Sequence, residues 1–119
     1  MVISKEELVG HWQSIKVKNR LDYGVNWNMT DYWVSGASAK LEITMDSFLL
    51  VAPAMDYSTK VELELRIVVG TYSIIDQKII ITEEDRVLQF SILDFNNTIL
   101  SLHLFKTDAV FENTSVNLE

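Results

Sequence analysis

Two histidines, His11 and His103, are the residues of this chain best suited to bind a metal or shuttle a proton, and they lie in unrelated places. Two such ligands far apart make no metal centre by themselves. There is no cysteine, so thiolate chemistry, thiolate metal ligation and disulfides are excluded. Carboxylates are plentiful, but the cleanest run, Glu62, Glu64 and Arg66, alternates with Val61, Leu63, Leu65 and Ile67. That alternation reads as a solvated strand face with local charge pairing rather than as an acid and a base converging on one substrate. No phosphate-cradling glycine loop, nucleophile elbow or dinucleotide fingerprint occurs. The reading is therefore of a non-enzyme with no cofactor and no metal.

The side chains that remain are apolar and aromatic, and their chemistry is desolvation. Between Asn19 and Ser38 lies a stretch with no clear period that carries Tyr23, Trp27, Tyr32 and Trp33. Loops of that length are uncommon unless functional or ordered by packing. Methionine and tyrosine recur near Pro53 to Thr59, at Met55 and Tyr57. Such residues at a rim suit adaptable apolar contacts. A second use of the same aromatics is as a contact patch for a protein partner.

These residues must be positioned by strands. "AKLEIT", "KVELELRI", "VLQFSIL" and "TILSLHLFK" each alternate apolar and polar residues. "WQSIKVK", "FLLVA" and "KIIIT" complete a count of seven, with Ile15 and Val17 assigned to one face of the first. Asp76-Gln77 has the length of a two-residue hairpin loop, "MDS" reads as a tight turn, and Gly70 reads as a bulge or bend within a long strand. Leu65, Ile67, Tyr72, Phe90 and Leu102 fall on inward positions. An antiparallel meander with one dry face per strand hides that face in a sandwich or by closing into a barrel, which also removes its edges. Eight strands leave an interior for side chains or one small ligand. The eighth has three candidate sources: a break at Gly70, "DAVFEN", or part of "MTDYWV".

At the start, Ser4 with Glu7 three residues on is the spacing of a capping box. A short helix over 4–10 then meets Gly10, His11 and Trp12. Glycine permits a sharp turn, and the indole two residues later plugs the end of the barrel. Lys106 is a candidate to lie over that ring as a cation.

A short helix, a G-x-W at its junction with the first strand, and a meander resemble the lipocalin-like (calycin) barrels. "GTYSIIDQKIIIT" followed by "ILDFNNTILSL" is similar to small bacterial lipocalin-like domains. The likeness covers roughly residues 4 to 106. It implies an all-β, antiparallel up-and-down barrel of about eight strands over 11–106, closed by Gly10 and Trp12, with 107–119 as a polar tail. It also implies a cavity open at the far end, with the 19–38 loop folded over its mouth. The expected function is non-catalytic binding of a small apolar or amphipathic molecule by Leu65, Ile67, Tyr72, Phe90 and Leu102, with Tyr23, Trp27, Tyr32, Trp33, Met55 and Tyr57 at the mouth. The alternatives are a filled barrel that binds a protein through 23–33, and a calycin-like enzyme.

The totals agree with one domain of 119 residues. A net charge of −7 and scattered basic residues argue against nucleic acid as a partner. No apolar run approaches a membrane span. "MVISKEEL" turns charged at once and reads as no signal peptide, which places the chain as written in the cytoplasm, or outside it if a leader was trimmed.

Overall fold

The computed structural model of the chain describes residues 3–17, 32–34, 39–56, 59–104 and 107–114. One short helix, α1 (Lys5–Leu8), precedes β1 (Gly10–Val17), β2 (Tyr32–Val34), β3 (Lys40–Ile43), β4 (Phe48–Asp56), β5 (Glu62–Ile75), β6 (Lys78–Thr82), β7 (Val87–Phe95), β8 (Ile99–Leu104) and β9 (Thr107–Asn113). All pairings are antiparallel, and eight of the strands close a ring in the order β1–β3–β4–β5–β6–β7–β8–β9 and back to β1. The remaining strand, β2, pairs with Ala54–Asp56 of β4, beyond the Phe48–Val51 stretch taken by β3. The expected up-and-down barrel is the observed architecture.

The eighth strand is β9, which contains "DAVFEN". It replaces the polar tail expected from Thr107 onward and extends the barrel past residue 106. Trp12 pairs with Asn113 and Leu100 with Phe111, so β9 fills the space between the first strand and β8. Ala109 and Phe111 are fully buried. Only these two residues carry the inward pattern, and one is small, which is why the strand reads as polar.

Turn chemistry fixes the hairpins. Asp76 and Gln77 both take positive φ, 51° and 62°, the type I′ conformation whose twist matches that of the flanking strands. The Thr44 hydroxyl accepts the backbone N–H of Asp46 (3.2 Å) and of Ser47 (2.9 Å), closing the β3–β4 turn. The Asn96 side-chain oxygen accepts the N–H groups of Thr98 and Ile99, both at 2.9 Å. With α1, these three turns lie at one end of the ring, the base. The other ends of the strands form the mouth.

Three register shifts reset the inside–outside alternation. One falls between Ser14 and Lys16, with Ile15 as the extra residue; Ile15 lies outward at 55% exposed, on the side opposite Trp12 and Ser14. Another lies between Ile92 and Asp94, so that Ile92 and Phe95 both face inward while Leu93 between them is exposed. The third pairs Leu50 with Val68 and Val51 with Arg66, so the extra residue is Ile67 and not Gly70. Val61 precedes β5 and is exposed rather than inward. Strand β5 runs unbroken through Gly70, which pairs with Phe48 while the next residue, Thr71, pairs with Thr82 of β6. There a Cβ would stand 2.4 Å from the Thr82 carbonyl oxygen, so the glycine allows two backbones to approach.

Candidate functional site

The base is built from the opening motif. Glu7 accepts the Ser4 N–H at 3.1 Å, the returning half of the capping box. Gly10 has φ 148°, a conformation that side chains disfavour, and it turns the chain from α1 into β1. Trp12 follows, 1% exposed, with its indole N–H donating to the Leu8 carbonyl at 2.9 Å and its ring 6.1 Å from that of Phe95. The expected plug is thus in place.

Lys106, the cation expected over Trp12, lies outside the described residues. The base does hold a cation–π contact, on a different ring. The Lys5 ammonium sits 4.6 Å from the centroid of Tyr72 and donates to the Met45 carbonyl at 3.2 Å. The Tyr72 hydroxyl donates to the Thr44 carbonyl at 2.8 Å, and its ring packs edge-on against Phe48 at 6.1 Å. Burial, followed by the charges of Asp46 and Glu6, raises the phenol above its ordinary pKa. Tyr72, expected among the cavity residues, belongs to this seal.

Above the base the described interior is apolar. Phe48 and Phe90 meet edge to face at 5.8 Å, and Leu41, Leu50, Ile79, Ile81, Leu100 and Leu102 are fully buried. Among the described residues, Ser14 is the one buried polar side chain. Ile67, Phe90 and Leu102 face inward as expected, and all three are buried. On the mouth side of β5 and β7, Leu63, Leu65 and Leu88 pack against the core yet stay half-buried, as does Ile74 near the base, whereas Leu104 and Ala109 at the mouth ends of β8 and β9 are buried.

The mouth residues are placed in part. Register sets Trp33 opposite Met55 and Tyr32 opposite Asp56, so the two expected aromatic segments are neighbours at that rim. Tyr23, Trp27 and Tyr57 lie outside the described residues.

Two features escaped the sequence reading. On the outside, β1, β3, β4 and β5 curve into a groove of about 480 Å³, floored by Leu49 and Val51 and flanked by His11, Lys40, Glu42 and Arg66. Beside the mouth, Glu83 and Arg86 pair with each other; Glu83 also accepts the Val69 N–H at 2.7 Å, and Arg86 donates to the Ile67 carbonyl at 2.8 Å. Burial opposes ionisation of Glu83, but the Arg86 hydrogen bond, the Val69 N–H and the Arg86 charge outweigh it and lower its pKa. Both features depend on sheet coiling, which has no local signature.

His11 and His103 are exposed, and each stands by a carboxylate: Glu42 at 3.4 Å and Asp108 at 2.6 Å. No cluster of three or more metal-ligating side chains occurs among the described residues, and no helix there is long and apolar enough to cross a membrane. No protein-family model matches the chain, no curated protein is significantly similar to it, and no solved structure matches its fold.

Proposed function

We propose that the barrel binds a small apolar or amphipathic molecule, without chemically changing it, through the end opposite Trp12. The observation that carries this reading is the partial exposure of three inward leucines on the mouth side of β5 and β7. Leu63, Leu65 and Leu88 pack against the core but remain half-buried, while Trp12 and Phe48 at the base are 1% and 0% exposed. A ligand covering those leucines gains about 25 cal/mol for each Å² of apolar surface removed from water. The likeness to lipocalin-like barrels supports the reading by architecture alone, since function resides in the site and not in the fold.

Native mass spectrometry of the purified protein, then extraction after denaturation, tests it directly. The expected result is a small molecule released on unfolding, or saturable binding of a fluorescent fatty-acyl probe. Leu88→Arg, which puts a charge among the mouth leucines, abolishes that binding, whereas Ile75→Lys, on the exposed base of β5, leaves it unchanged. No released molecule and no saturable probe binding by the folded protein would overturn the proposal in favour of a filled barrel that acts through its surface.

A further inference from the structure

Strand β5 outruns the hairpin beside it. Met55 to Phe48 of β4 pair with Glu62 to Gly70, but β6 takes up only Thr71–Ile75. On the side away from β4, the Glu83–Arg86 pair occupies the Val69 N–H and the Ile67 carbonyl. The clamp does there what another strand would do. On its mouth side, Glu62–Arg66 form a sheet edge that no other strand pairs with among the described residues. Bare edges of this kind are templates for pairing with another chain.

The charges on the edge specify what fits it. Within its own sheet, Glu64 stands opposite Pro53 and Arg66 opposite Val51, and neither residue can neutralise a charge. Both charged side chains are exposed, and neither makes an ion pair among the described residues. A strand laid antiparallel on the open side would need a cation opposite Glu64 and an anion opposite Arg66. Strand β5 itself presents that pattern.

We propose that this edge pairs with the same edge of a second copy of the chain, about a two-fold axis through Leu65. In that register Glu64 lies opposite the partner's Arg66, Arg66 opposite the partner's Glu64, and Leu65 opposite the partner's Leu65. Moving the axis by one residue in either direction, a slide of two in register, sets Glu64 against the partner's Glu64 or Arg66 against the partner's Arg66, and like charges directly opposite are destabilising. The interface is isologous, so it closes at two copies and builds no fibre. The clamp stops the ladder at Ile67, which keeps the contact small and the association weak. The dimer is independent of whether the barrel holds a ligand.

Sedimentation equilibrium of the whole chain, from about 10 μM to about 1 mM in about 0.15 M salt, tests this. The mass should rise from 13.7 kDa toward twice that value with concentration. Glu64→Arg and Arg66→Glu, each with wild-type circular dichroism, should weaken association at least about tenfold. An equimolar mixture of the two variants restores both cross-strand pairs and should form a heterodimer, as should the double reversal with itself. A wild-type chain that stays monomeric throughout overturns the proposal. So does a dimer indifferent to either reversal, or one that the mixture fails to restore.

Discussion

The Trp12 indole N–H donates to the Leu8 carbonyl at 2.9 Å, tying the last turn of the helix to the first strand across Gly10. One side chain thus caps the helix and fills the base. Trp12→Ala should cost about 3–5 kcal/mol through the cavity it leaves. Trp12→Phe keeps much of the volume but strands a buried carbonyl, and should cost about 1–3 kcal/mol. Urea midpoints of both variants check the order.

Gly70 is set by contact with a neighbouring backbone. In Gly70→Ala the new methyl meets the Thr82 carbonyl oxygen at 2.4 Å, so β5 and β6 must part where β5 turns from one neighbour to the other. The expected loss is roughly 2–4 kcal/mol by thermal or denaturant unfolding.

The Glu83–Arg86 clamp makes stability depend on pH. The folded pKa of Glu83 lies below the ordinary 4.5, so the carboxylate's contribution is complete above that value and is lost as pH falls through the folded pKa. Between pH 7 and pH 3 the wild type should lose more stability than Glu83→Gln. At pH 7 the variant should be weaker by about 1–2 kcal/mol, since it gives up hydrogen bonds to a charged group. Parallel urea titrations at the two pH values measure the difference.

Tyr72 works in the opposite direction. Its folded pKa is raised above 10.0, so the hydroxyl's contribution is complete below pH 10 and disappears as pH climbs through the higher folded value. Tyr72→Phe should remove that alkaline loss. It should also cost about 1 kcal/mol at neutral pH, because the hydrogen bond to Thr44 is gone. Unfolding followed between pH 8 and about pH 11 separates the two effects.

Much of the barrel is written in local alternation. Phe90 with Ile92, and Leu100 with Leu102 and Leu104, face inward where their spacing puts them, because one buried face enforces a period of two. The Asp76–Gln77 hairpin and the closure at Gly10 and Trp12 are equally local. The failures are long-range. Ile15 faces outward by parity opposite to Trp12, but nothing in "WQSIKVK" signals the bulge at that residue, because the bulge exists only against β9. Tyr72 has inward parity, but its place in the base follows from where β5 stands relative to the Thr44 turn. The Glu83–Arg86 clamp requires a strand 14 to 19 residues upstream to pass beside the turn.

The Thr114 N–H donates to the His11 carbonyl, two residues 103 apart in sequence. Because β9 is the neighbour of β1 on that side among the described residues, the ring stays open during translation until β9 has left the ribosome. The nascent chain meanwhile carries two bare edges, on β1 and on β8, for as long as synthesis lasts. That interval, rather than the finished barrel, is when the protein is most exposed to misassembly and when a chaperone would have most to shield.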